Sequence, residues 1–308
     1  MDVKKDSLQA WVLAARPKTL TGAAVPVMIA LALAYTDAGG CQGGVFSWTA
    51  ALLCLAFAFI MQIDANLIND YVDYARGTDD RATRLGPERA CTQGWVSIGR
   101  MKVAIALTTC LACVVGLPLV WYGGWEMVLV GVLCVVFCFL YTTHLSYMGL
   151  GDVLVLVFFG LVPVCVTYYI QLHTLTLEVV VASVACGLVI DALLLVNNFR
   201  DRDTDRVAGK KTLVVRIGPL WTLRLYLGVG LVACLMGVVF ALYGRWIATL
   251  LPLLYLVLHY LTFRQMKQTW QGRALNRCLG LTARNIFIYG LLVAAGILIH
   301  YSLFTPPN

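Results

Sequence analysis

Charge is what this sequence lacks. Only 13% of its 308 residues are Asp, Glu, Lys or Arg, about half the share usual in soluble domains. Residues 38–63, 103–125, 127–151, 153–177, 225–244, 246–263 and 285–308 contain none of the four. That excludes an ordinary soluble domain, whose surface needs charge along its whole length. Histidine is scarcer still. The four present, His144, His173, His259 and His300, show none of the spacings of a metal site and read as structural. No cleavable leader is expected, because the N-terminus opens on charged, mixed text. Cysteine is not scarce, but most of the eleven sit in apolar stretches. Cys110 and Cys113 form a CxxC with no second pair and no flanking His, so they read as small buried hydrophobes.

What the sequence has in abundance is apolar length. Hydrophobic residues make up 60% of it, and each uncharged stretch approaches or exceeds the roughly 20 residues that cross a hydrocarbon core as a helix. Shorter apolar stretches at 20–35 and 179–199 complete the set, the second carrying Asp191. The expected fold is all-α: a polytopic membrane protein with spans near 20–36, 46–65, 103–121, 126–142, 152–171, 178–197, 219–243, 246–263 and 285–304. Aromatic residues near the span ends (Trp48, Trp95, Trp121, Trp125, Tyr141, Trp221, Trp246) fit interfacial belts. Of the 23 basic residues, all but Arg224 and Arg245 precede span 1 or fall between spans 2 and 3, 6 and 7, or 8 and 9. Alternating spans put those segments on one side, which the positive-inside rule makes cytoplasmic. The net charge of +7 is therefore mostly topogenic, and nucleic acid is not an expected partner.

Two long cytoplasmic loops, 66–102 and 198–218, open with related text. The first reads Asn66-Leu-Ile-Asn69-Asp70-Tyr-Val-Asp73-Tyr-Ala-Arg76-Gly77-Thr-Asp79; the second reads Asn197-Asn198-Phe-Arg200-Asp201-Arg202-Asp203-Thr-Asp205 and continues to Lys210. In each, an Asn stands four residues before the key Asp and a second Asp follows at three or four. Spans 1–4 and 5–8 therefore read as a weak parallel repeat within one domain, residues 1–308, with the ninth span left over. Residues three and four apart share a helical face. If the helices continue past the bilayer edge, Asn66, Asp70 and Asp73 form one oxygen-rich stripe, and Asn197, Asp201 and Asp205 a second. Oxygen ligands suit a hard cation such as Mg²⁺, and helix C-termini favour cations. Facing stripes would repel unless Mg²⁺ lay between them with a diphosphate completing its shell. Solvated loop charge would explain the composition but not the repeated spacing. Asp64 and Asp191 lie deeper, where an ionised Asp is costly; each reads equally as a functional group facing a cavity or as a hydrogen-bonded packing residue.

These motifs, their separation and the nine spans resemble the UbiA superfamily of intramembrane aromatic prenyltransferases. The text is most similar to the branch that prenylates 1,4-dihydroxy-2-naphthoate in menaquinone synthesis. The resemblance also rests on Arg16-Pro17-Lys18-Thr19, Leu85-Gly86-Pro87 with Gly94, Tyr141-Thr142, Gly149-Leu150-Gly151-Asp152, Phe158-Phe159-Gly160, Gly209-Lys210-x-Thr212-Leu213 and Arg216-x-Gly218. It implies nine helices around a central cavity with both acidic motifs at its cytoplasmic mouth, in a cell's inner membrane. Asp70, Asp73, Asp201 and Asp205, with Asn66 or Asn69, would hold Mg²⁺ and diphosphate. Lys18, Arg200 and Lys210 would contact the diphosphate, and Asp79, Asn197 and Asn198 would support that site. The implied reaction joins a polyprenyl group from polyprenyl diphosphate to 1,4-dihydroxy-2-naphthoate, releasing diphosphate and CO₂ and giving demethylmenaquinol. An allylic cation formed on the way can be stabilised by aromatic π-faces; Tyr71, Tyr141, Tyr147 and Phe199 are the candidates, with Tyr141 preferred. The prenyl tail is expected to leave the cavity sideways into lipid.

One segment departs from the resemblance. Relatives carry a longer, basic loop between spans 4 and 5, whereas His144-Leu-Ser-Tyr147-Met148-Gly149 is short and holds no Lys or Arg. An acceptor carboxylate would need its cation from elsewhere in the fold. Other acceptors, 4-hydroxybenzoate or homogentisate, are the alternatives within the class. A transporter is the alternative outside it, and that would place polar residues at the midplane of several spans.

Overall fold

A computed structural model of the chain describes residues 3–40, 45–77 and 84–304. The described residues are helical with no strand, and nine helices are long and apolar enough to cross a membrane. Span 1 runs Leu8–Asp37, span 2 Trp48–Ala75, span 3 Ile98–Gly123, span 4 Glu126–Leu145 and span 5 Gly151–Leu172. Span 6 is Leu177–Val207, span 7 Leu213–Leu242, span 8 Trp246–Thr269 and span 9 Leu275–Phe304. Ser47, Thr176 and Thr212 cap the first turns of spans 2, 6 and 7 through their hydroxyls, satisfying amides that lipid cannot. The expected count and order of spans are both found. The differences lie at the ends: spans 2 and 6 run to Ala75 and Val207, some ten residues beyond their apolar text, so each acidic stretch is helical.

Span 6 is the spine of the bundle, with 67% of its apolar window buried, and span 4 is the outermost, with 6%. The spine admits close neighbours because small residues line it. A Cβ on Gly160 of span 5 would lie 2.6 Å from the Ser183 carbonyl oxygen and 2.8 Å from Cα of Gly187. The two backbones touch there, as small-residue membrane crossings allow. Span 5 makes room by a π-helical stretch at Leu156–Leu161. A second π-helical turn, Tyr141–Leu145, ends span 4; such turns carry an extra residue and re-aim side chains, often at functional sites.

Buried polar residues are pinned across helices. Asp64 of span 2 accepts from the hydroxyls of Thr108 (2.5 Å) and Thr109 (2.7 Å) on span 3. His259 of span 8 lies stacked between Tyr226 and Tyr255. Its Nε2 faces the Tyr226 carbonyl oxygen at 2.8 Å and so carries the proton, which leaves Nδ1 to accept from the Tyr255 hydroxyl at 2.9 Å. At the end of the bundle away from the acidic motifs, Arg245 pairs with Asp37 and with Glu178 (2.6 Å). Tyr168 donates to the other oxygen of Asp37 at 2.6 Å. This joins spans 1, 5 and 6 to the turn between spans 7 and 8. It also accounts for Arg245, the basic residue that departs from the charge pattern: its charge is neutralised by two acids.

Candidate active site

The acidic motifs end at one side of the bundle, around two confluent cavities. The first, of about 150 Å³, is polar and is bounded by Asn69, Asp73, Asn197, Asn198, Asp201, Asp205 and Lys210, among others. The second, of about 570 Å³, is lined mainly by apolar residues of spans 1–6. Its mouth carries Arg16, Asn66, Asn69, Arg84, Arg89, Asn197, Arg200 and Asp201. Tyr141, aimed inward by the π-helical turn, borders both.

Three of the carboxylates on the polar cavity, Asp73, Asp201 and Asp205, have basic partners. Arg89 Nη2 lies 2.8 Å from Asp73, and Lys210 Nζ lies 3.8 Å from Asp205. Arg200 grips Asp201 with two parallel bonds, Nε to Oδ1 at 2.8 Å and Nη2 to Oδ2 at 2.6 Å. Arg200 is itself fixed by Asn197 and by Asn276 of span 9, both at 2.8 Å, and Asn276 also donates to the Leu85 carbonyl oxygen. Fork geometry of this kind fixes direction as well as charge. The ring of acids and bases suits an ion of either sign, and above all a cation and an anion arriving together.

Asp70 sits differently from Asp201. It is fully buried, borders neither cavity, and accepts from the backbone amides of Ala90 (2.8 Å) and Cys91 (3.1 Å). It thereby ties the 84–97 segment, which carries Arg84 and Arg89, onto span 2. Asn66 borders the apolar cavity, while its amide donates to the Ala15 carbonyl oxygen (2.9 Å) and to Thr19 (2.8 Å), docking the start of span 1. Asn69 takes Arg89 through both its carbonyl oxygens, at 2.7 and 2.8 Å. Lys18 is exposed and borders neither cavity, and Asp79 lies outside the described residues. Of the four candidate aromatics, the linings include Tyr141 but not Tyr71, Tyr147 or Phe199; Phe199 is packed against Arg202 and Trp270.

Residues missed by the sequence reading stand beside these. Arg16 adopts a left-handed backbone conformation (φ 51°) just before Pro17, where the helical region is disfavoured. The chain breaks there, and the guanidinium enters the mouth with Nη2 buried and without a hydrogen-bond partner. The Arg-Pro pair was the available signal for this. Nothing in the sequence pointed to Arg84, Arg89 or Asn276, whose positions depend on long-range packing. Asp152, half-buried, borders the polar cavity with both carboxylate oxygens buried and unpartnered, close enough to interact with the buried Asp191.

The loop between spans 4 and 5 receives the cations its own text lacks. Arg76 donates to the Thr143 carbonyl oxygen, and Arg216 to that of Met148 at 2.6 Å. Arg76 and Lys210 lie 4.8 Å from the centroid of the Tyr147 ring.

The polar cavity fits Mg²⁺ of one kind. Among the described residues no group of three His, Cys, Asp or Glu is gathered tightly enough to cage a metal ion. Mg²⁺ sites that share substrate phosphates ask for less: one or two carboxylates, with phosphate and water oxygens filling the octahedron. Asp73, Asp201 and Asp205 around a cavity rimmed by arginines meet that requirement.

Comparison with known proteins agrees with this architecture. The model of the UbiA prenyltransferase family matches residues 23–289. A protein of Escherichia coli (strain K12) named 1,4-dihydroxy-2-naphthoate octaprenyltransferase is 37% identical over 250 residues, 77% of this chain and 79% of that protein. Among solved structures, an apo UbiA homolog from Aeropyrum pernix K1 superposes with a TM-score of 0.68 at 16% identity, covering 91% of this chain and 97% of that one. A UbiA homolog from Archaeoglobus fulgidus bound to DMAPP and Mg²⁺ superposes at 0.59 and 14% identity, covering 92% and 99%.

Proposed function

The chain belongs to the UbiA prenyltransferase family, and from that premise we propose that it transfers a polyprenyl group from polyprenyl diphosphate to 1,4-dihydroxy-2-naphthoate, releasing diphosphate and CO₂ and giving demethylmenaquinol. The observation that carries this reading is the pair of confluent cavities. One is polar, ringed by acid–base pairs and sized for a diphosphate with its cation; the other is apolar and fit for a hydrocarbon tail; they meet at Tyr141. The naphthoate acceptor follows from the name of the relative that is 37% identical.

On this reading Asp73, Asp201 and Asp205 hold Mg²⁺, with the Asn197 and Asn198 amides beside them. When bound, Mg²⁺ supplies Lewis-acid and template chemistry to the leaving diphosphate. Arg16, Arg84, Arg89, Arg200 and Lys210 surround the diphosphate and stabilise charge as the allylic C–O bond breaks. Asn66 and Asp70 act at one remove, by holding span 1 and the 84–97 segment in place. Tyr141 presents its ring to the allylic cation where the cavities join. The ring carbon bearing the acceptor's carboxylate attacks that cation, and loss of CO₂ restores aromaticity. Arg76 and Arg216, bonded to the Thr143 and Met148 carbonyl oxygens, are the cations at the short loop for the acceptor's carboxylate. The apolar walls exclude water that would capture the cation. The basic ends of the spans favour a mouth on the cytoplasmic side.

The test is to incubate the purified full chain with Mg²⁺, a polyprenyl diphosphate and each candidate aromatic acid, and to identify products by mass. Prenylated, decarboxylated naphthoate is expected, and its formation should stop on EDTA treatment and return with added Mg²⁺. Turnover of 4-hydroxybenzoate or homogentisate with none of the naphthoate would overturn the acceptor assignment.

A further inference from the structure

Ten residues of span 4 border the apolar cavity; among them Met127, Gly131, Cys134, Cys138 and Tyr141 are spaced four, three, four and three, as one helical face requires. Every member has a side chain except Gly131, midway along. A Cβ built at Gly131 meets no atom within 4 Å, as at Gly22 of span 1, the other uncrowded glycine of the lining, so open space and no packed neighbour lies beyond it. Gly116 on span 3, by contrast, faces Phe57 with Cδ2 3.0 Å from its would-be Cβ. A glycine without crowding has no packing reason to be there, and in a helix interior it is less favourable than Ala.

The cavity continues past Gly131 toward the other end of the bundle, to Leu119, Met127 and Ile170. It also opens beside span 4, because Leu117, Val128 and Val132 border it while being 66%, 42% and 53% exposed on the lipid-facing surface. Gly131 lies on the same stretch of span 4 as Val128 and Val132, three residues after one and next to the other.

Resting on the prenyl-transfer reading, we propose that Gly131 sets the donor chain length, its missing side chain being the gap through which the tail passes deeper and out beside span 4. Tyr141 marks the reacting end. Ten residues of helix separate it from Gly131, about 15 Å at the usual rise. An isoprene unit adds four main-chain carbons, roughly 4–5 Å at covalent bond lengths. The tail therefore reaches Gly131 at about its third unit. Donors of two units end short of the gap, and donors of four or more must pass it.

The experiment is a graded series, Gly131→Ala, Gly131→Leu and Gly131→Phe, assayed in the full chain with Mg²⁺, naphthoate and geranyl, farnesyl, geranylgeranyl and longer diphosphates. In Gly131→Phe, kcat/KM for geranyl diphosphate should stay within about twofold of the parent, while geranylgeranyl and longer donors lose tenfold or more; Gly131→Leu should fall between and Gly131→Ala near the parent. Geranyl transfer at the parental rate also reports that the variant is folded. Equal use of every donor by Gly131→Phe, or equal loss of all of them, overturns the proposal. A parent that prenylates no acceptor with any donor removes the functional reading itself, whereas a parent active on long donors beside a variant without length preference removes only the role of Gly131.

Discussion

Asp70 and Asp201 stand at matching positions in two related stretches of sequence, yet their oxygens meet different partners. Asp201 accepts the Arg200 fork on the cavity wall, whereas Asp70 accepts two amides of the 84–97 segment away from it. Their amide variants should therefore fail differently. Asp201→Asn is expected to cut turnover at least a hundredfold while thermal stability in detergent stays near the parent. Asp70→Asn loses charge-assisted bonds worth about 1.5–3 kcal/mol each; it should lose activity together with order in the 84–97 segment, read as new tryptic cleavage at Arg84 or Arg89. Cleavage unchanged in Asp70→Asn would count against its anchoring role.

At the scale of elements, the short loop after span 4 depends on one backbone approach. Gly149 has φ +79°, and a Cβ there would collide with the Lys211 carbonyl oxygen and press on the Arg216 guanidinium. The Lys211 amide meanwhile donates to the Tyr147 carbonyl oxygen at 3.0 Å. Gly149→Ala should push the two segments apart and move Arg216 off the Met148 carbonyl oxygen. The expected result is a KM for the aromatic acceptor raised several-fold, with KM for the donor changed less. An equal rise in both would show that the loop does not serve the acceptor. Asp64 belongs to this scale too: its two threonine partners on span 3 make it a packing residue that joins spans 2 and 3, which decides between the two readings its depth allowed.

Across the whole molecule, the end with the acidic motifs is held by polar networks and the opposite end by Arg245 with Asp37, Glu178 and Tyr168. Removing one partner from a largely buried ion cluster leaves uncompensated charge and costs about 3–5 kcal/mol. Arg245→Met should thus lower the melting temperature by several degrees while leaving kcat almost unchanged, because the cluster lies at the far end of the bundle from the acidic motifs. A double variant, Arg245→Met with Glu178→Met, should recover part of the loss. A fall in kcat without a fall in stability would instead link the two ends.

The sequence by itself determined the nine spans, their order and their alternation, because lipid demands long uncharged helices and topogenesis demands basic residues on one side. It also pointed to the two Asn/Asp stretches, because helical spacing turns such residues into oxygen-rich stripes. Tertiary structure decided which of those oxygens reach a cavity. It put Arg16 at the mouth instead of Lys18, brought Arg76, Lys210 and Arg216 to a loop that lacks cations, and joined Arg84, Arg89 and Asn276 to motifs far from them in the chain. Periodicity reports which residues share a face of one helix; which neighbour that face meets is a matter of packing between helices, and local spacing carries no record of it.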